Sequence, residues 1–145
     1  AVSLLAAQGF PAVYASPPEG FRGWAALQAI SSSVEDETRL GACYEYLNWW
    51  HSGEPGAIMM RQGYYNAVQE TSRAFVTDDE WDYWIEGLPA GSDLPGITGQ
   101  PGDVQFGTIR DGGSFLERSC RYSCWNSFLD EQALQTERWR EFRGV

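Results

Sequence analysis

One histidine, three cysteines and twenty carboxylates are the groups from which catalysis or metal binding in this 145-residue chain would have to be built. His51 has no nucleophile or second ligand at a recognisable spacing, and a lone imidazole reads as a structural or exposed side chain. Cys43, Cys120 and Cys124 contain no Cys-x-x-Cys pair, so no zinc framework is written here. Cys120 and Cys124 would share a face if their segment were helical, at the edge of disulfide reach. Buried free thiols are the simpler expectation. Carboxylate pairs occur at every spacing in so acidic a chain and single out nothing. There is no G-x-S-x-G elbow, no P-loop and no dinucleotide fingerprint. Gly96–Gly102 places a glycine at every third position, but its prolines suit turns better than a phosphate cradle. Neither an enzyme nor a bound cofactor is expected.

The chemistry left is aromatic. Seven tryptophans, seven tyrosines and seven phenylalanines are distributed along the chain. The stretch Cys43–Gln69, CYEYLNWWHSGEPGAIMMRQGYYNAVQ, orders them most tellingly. An aromatic helix breaks at Ser52-Gly53, a short apolar helix restarts through Glu54-Pro55, and Gly63 stops it ahead of Tyr64-Tyr65. A helix that ends on glycine and hands a tyrosine to a turn can present that ring to a cleft. Core packing is the plainer use of the same residues.

The elements that must position these rings follow from local pattern. Ala1–Gln8 reads as a short helix and Phe10–Ala15 as a buried strand with Pro11 near its start. A Pro-Pro-Glu-Gly turn leads to a second strand within Phe21–Ile30. Ser32 with Glu35 forms a capping-box pattern opening a helix over Val34–His51. Leu40, Cys43, Leu47 and Trp50 mark its inner face, and Val34–Trp50 is expected to be the most buried helix of the fold. Ala57–Gln62 has proline in its first turn and glycine after its end, and Ala67–Phe75 begins another helical turn. Thr77-Asp78-Asp79-Glu80 is a second capping box, read as a solvated helix start. Trp81, Trp84 and Ile85 follow on one side before Gly87 stops the helix. Leu88–Gly113 is rich in glycine and proline and has room for one short strand, Val104–Phe106. Ser114–Asn126 fits either helix or extended chain, and Phe128–Phe142 reads as a terminal helix.

Charge narrows the partners. All ten basic residues are arginines, and against twenty acids they leave a net charge of −10. A nucleic-acid binder needs a basic face, so that class is set aside. Negative charge suits a cationic ligand or simple solvation. No run approaches the length needed to span a bilayer.

Taken together, the runs FPAVYASPPEGFRGW, CYEYLNWWHSGEPGAIMMRQGYYNAV, EWDYWIEGLPA, RDGGSFLERSCRYSCWNSFLDE and ERWREF resemble the C-terminal part of a bacterial extracellular solute-binding protein of an ABC transporter. The similarity is to the spermidine/putrescine-binding family, and the helix YEYLNWW followed by a small helix and GYY is its most specific element. The resemblance implies a helix-rich α/β fold. The implied form is part of a type II periplasmic-binding-protein lobe with few strands, built as one unit over residues 1–145. Chain crossings between lobes fall near 20–24 and 64–70. It implies a small cationic solute, polyamine-like, held by Trp24 at the crossing and Tyr64 after the helix-ending glycine, with Tyr65 beside it. Trp125 and Asn126, before the final helix, complete the set. Trp24 and Tyr64 should then face one concavity. Polyamine binders of the family carry an aspartate two residues after the crossing tryptophan, where this chain has Ala26. That removes a charge-assisted hydrogen bond of about 1.5–3 kcal/mol. The resemblance further implies a permease as partner and a periplasmic location if a signal peptide precedes Ala1. A chain with pieces of both lobes leaves apolar surface and strand edge in water, which a symmetric homodimer would cover. The competing expectation is a shortened oligomeric or interaction protein that keeps the fold without a transport role.

Overall fold

The computed structural model describes residues Val2, Leu5, 8–125 and 132–144. The chain is an α/β protein with two small sheets. Strand β1 (Phe21–Gly23) is followed by helices α1 (Glu37–His51), α2 (Glu54–Arg61) and α3 (Gln69–Ser72), the last running on as a 3-10 turn, Arg73–Phe75. Helix α4 (Asp78–Trp81) continues as a π turn over Asp82–Glu86. Strands β2 (Leu94–Pro95) and β3 (Pro101–Val104) form an antiparallel pair. Helix α5 (Phe115–Ser119), strand β4 (Tyr122–Trp125) and helix α6 (Gln132–Arg143) complete the chain.

The core lies around α4 and its π turn. Met60, Tyr83, Trp84, Ile85, Ala90, Leu94 and Val104 are buried together, with Tyr65, Val76, Trp81 and Phe115 packed against them. The π turn explains how Tyr83, Trp84 and Ile85, consecutive in sequence, are all buried. Widening the helix by one residue per turn changes the direction of successive side chains, so one α-helical face does not hold the set. Gly87 ends the element at φ 72°. A Cβ there would run into the backbone of Gly113 and Ser114, so glycine is needed for both conformation and space.

The Thr77 capping box forms as its spacing predicts. Thr77 accepts from the Glu80 amide, and the Glu80 carboxylate takes the Thr77 N–H at 2.8 Å. The same carboxylate is not solvated, however. Glu80 is 2% exposed and receives Arg61 Nε at 2.6 Å, which ties α4 to the end of α2. Burial pushes its pKa up, but the hydrogen bonds from Arg61 and Thr77 and the Arg61 charge outweigh that and hold it low.

Helix α1 departs most from expectation. Leu40, Cys43, Leu47 and Trp50 are its least exposed positions, so the inward face is the one the periodicity marks. Yet no residue of α1 is buried, and Tyr44, Tyr46 and Trp49 are each about half exposed. The helix meets α2 and the chain at Leu27–Ser31, which leaves its apolar stripe part-buried along a shallow groove. The Ser32–Glu35 box also fails. A turn closed by Val34 N–H to the Ser31 carbonyl occupies that stretch, and Asp36 caps the helix by accepting from Arg39 N–H at 2.8 Å.

Phe10–Ala15 is not a strand, and Phe10 and Val13 are exposed. Among the described residues the segment has no partner strand, and Tyr14 N–H donates to the Asp111 carboxylate at 2.8 Å instead of to a ladder. Among the described residues the second expected strand is the short β1, which pairs with β4 over three positions. The expected strand at Val104–Phe106 lies slightly earlier, as β3. The expected helix at Ala1–Gln8 falls largely outside the described residues, as does the start of the terminal helix at Phe128. Cys120 and Cys124 are free and exposed rather than buried, one capping α5 and the other in β4. Among the described residues no helix is long and apolar enough to cross a membrane.

Candidate functional site

The turn after α2 is built by a Schellman arrangement. Gly63 takes φ 87°, and its N–H donates to the Met60 carbonyl at 2.8 Å while Tyr64 N–H donates to the Met59 carbonyl at 3.0 Å. These two bonds satisfy the last carbonyls of the helix and set the direction in which the chain leaves it. Tyr64 therefore departs from a fixed peptide rather than from a loose loop.

Its ring meets Trp24. The two centroids lie 6.1 Å apart with planes at 76°, an edge-to-face contact that bridges forty residues of sequence. Trp24 is 58% exposed and Tyr64 38% exposed, so neither ring is consumed by the core. Trp24 follows β1 directly, and β1 is held by parallel pairing with β4 in the register Phe21↔Tyr122, Arg22↔Cys124, Gly23↔Trp125. That register brings Trp125 beside Gly23. The indole lies against the glycine, where a Cβ would sit 3.2 Å from the ring, and its edge contacts Tyr122 at 4.9 Å. The pairing thus places a second exposed tryptophan on the Gly23 side of the strand pair.

Tyr65 turns the other way. Its ring packs edge-on against Phe115, centroids 4.7 Å apart, and its hydroxyl is buried. Of the sequence-derived site residues, Trp24 and Tyr64 are in contact, Trp125 packs against Gly23 and Tyr122 rather than with that pair, and Tyr65 faces the core. Asn126 lies outside the described residues. Ala26, exposed, supplies no carboxylate.

Two arginines that sequence pattern did not single out stand behind this turn. Arg110 is 7% exposed and donates to the Gly63 carbonyl at 3.3 Å and to the Trp84 carbonyl. Its guanidinium lies over the rings of Tyr65 and Trp84, at 5.0 and 5.1 Å. Burial lowers its pKa from the free arginine value, with the nearby Arg118 charge adding to the effect. Arg118, 9% exposed, covers the Tyr14 ring at 4.3 Å and donates to the Asp111 carbonyl at 2.7 Å. An arginine in a glycine-rich stretch gives no sequence signal of burial. The Ser114–Glu117 capping box that starts α5 did have one, a Ser-x-x-Glu spacing.

Among the described residues there is no group of histidine, cysteine and carboxylate side chains able to hold a metal ion. What the arrangement can do chemically is offer aromatic faces and edges to a cation or an apolar ligand. No protein-family model, characterised protein or solved structure matches the chain.

Proposed function

We propose that this chain binds a small amine cation of the polyamine kind at Trp24 and Tyr64, with Trp125 alongside. In this reading it serves as the solute-binding component of an ABC transporter, or as a shortened relative of one. The observation that supports this most is the exposed Trp24–Tyr64 contact, mounted on a fixed helix stop and on the end of a strand pair. Aromatic groups that are held rigidly and left in water suit cation–π capture, worth about 0.5–2 kcal/mol per ring. The net charge of −10 adds a long-range attraction for cations. With alanine at position 26, most of the selectivity would rest on the rings, which favours alkylammonium groups in general over one particular diamine. The reading carries with it a partial type II periplasmic-binding-protein lobe, a permease as downstream partner and action outside the cytoplasmic membrane. Tryptophan fluorescence titrated with putrescine and spermidine tests it. Saturable quenching that disappears in Tyr64→Leu is expected, and an unsaturated linear response in both proteins would overturn it.

A second reading has its own observation. The aromatic face of α1, with Tyr46 stacked on Trp49 at 6.0 Å, is exposed. This favours an oligomeric or interaction protein in which a second copy covers that helix. Light scattering at micromolar concentration separates the two. A dimer is expected to tighten as salt screens the repulsion between copies of charge −10; a monomer at every salt concentration would remove this reading.

A further inference from the structure

We infer that Arg110 is a positioning residue for the aromatic site. It fixes the Gly63–Tyr64 peptide and thereby the Tyr64 ring against Trp24. This inference rests on the reading of that ring pair as a ligand site. The peptide is held at both of its polar ends. Its N–H, on Tyr64, reaches the Met59 carbonyl at 3.0 Å, and its carbonyl, on Gly63, receives Arg110 at 3.3 Å. With both ends bonded, the plane of the peptide is held, which fixes the point from which the Tyr64 side chain leaves the turn.

The environment of Arg110 supports this role. The guanidinium is buried, yet among the described residues it makes no ion pair. Two main-chain carbonyls and the faces of Tyr65 and Trp84 receive it, with Arg118 and Tyr83 nearby. A buried cation without a carboxylate is a poor source of stability, and an apolar side chain of similar volume often does as well or better. What an apolar side chain cannot do is donate along two directions at once, to α4's π turn and to the stop of α2. The planar fork of arginine does so, and lysine reaches one carbonyl at a time. Tyr65, gripped between Arg110 and Phe115, anchors the next residue, so the chain is fixed immediately before and after Tyr64.

Arg61 provides the control. It too links α2 to α4, through Glu80 at 2.6 Å, but its contacts do not include the Gly63 carbonyl. The test records ring-to-ring nuclear Overhauser effects between Trp24 and Tyr64 in wild type, Arg110→Met, Arg110→Lys and Arg61→Met. Spermidine affinity is measured in parallel. Arg110→Met is expected to lose the Trp24–Tyr64 cross-peak and to bind at least tenfold more weakly. Arg110→Lys should retain part of both, and Arg61→Met should lower the unfolding midpoint while leaving both intact. If Arg110→Met does not fold, the Arg110→Lys protein carries the comparison. A wild-type cross-peak in whichever Arg110 variant folds, or its equal loss in Arg61→Met, overturns the role. If wild type binds no spermidine, the ligand reading fails, while the cross-peaks still decide whether Arg110 sets the ring geometry.

Discussion

Replacing Glu80 with glutamine isolates the contact that ties helix α2 to helix α4. The carboxylate is 3% exposed and Arg61 is 26% exposed. One oxygen takes Arg61 Nε at 2.6 Å, and the other takes Thr77 N–H at 2.8 Å, the Thr77 hydroxyl at 3.2 Å and Arg61 Nη2 at 3.3 Å. Glutamine has the same shape but a single acceptor. Its better orientation keeps the oxygen on Thr77 and turns the amide N–H groups toward Arg61 Nε, donor against donor. The loss is then one charge-assisted hydrogen bond, about 1.5–3 kcal/mol. The larger figure of roughly 3–5 kcal/mol for orphaning a fully buried charge does not apply, because Arg61 reaches water. Urea unfolding at pH 7 should give a loss of about 2 kcal/mol with an unchanged slope. Because the folded pKa of Glu80 is depressed, its contribution is complete above the unfolded glutamate pKa of about 4.3. It is lost as pH falls through the lower folded value, so the gap between the two proteins should close in acid. A loss under about 0.5 kcal/mol, or a gap that stays constant from neutral pH into acid, would refute this assignment.

Gly87→Ala combines a left-handed backbone, φ 72°, with a Cβ driven into Gly113 and Ser114. It should cost about 2–4 kcal/mol by chemical denaturation, and a change below about 1 kcal/mol would contradict the packing described. Cys120 and Cys124 are exposed and Cys43 half-buried, so a thiol reagent under native conditions should titrate two groups rapidly and a third more slowly; three equally slow thiols would contradict the exposures.

What the sequence made legible was mostly local. The Thr77–Glu80 box, the glycine stops at Gly63 and Gly87, and the inner face of α1 each depend on residues within a turn or two. Nothing local announces that β1 pairs with β4 across a hundred residues, nor that the pairing brings Trp125 to Gly23. Burial was misjudged where periodicity stood in for a partner. The stripe on α1 is the right face, but its described neighbours leave it only part-buried. The core formed around Tyr83–Ile85: Trp81, Trp84 and Ile85 were legible as one side of that helix, but Tyr83 was not, because a π turn departs from the 3.6-residue pattern. Arg110 was invisible for a related reason. An arginine between a glycine-rich loop and an aspartate looks solvated until the fold lays two rings over it. The Trp24–Tyr64 contact was anticipated through family resemblance and the helix stop at Gly63, not through spacing, since a separation of forty positions carries no distance information.

The most direct measurement of the central claim follows the indole N–H resonances of the seven tryptophans while spermidine is added to isotope-labelled protein. Binding at the proposed site should move the Trp24 resonance most and Trp125 next, along one saturating curve, with Trp49, Trp50, Trp81, Trp84 and Trp139 nearly still. A Trp24 resonance that stays in place at saturating spermidine, or shifts of equal size spread over the α1 tryptophans, would contradict it.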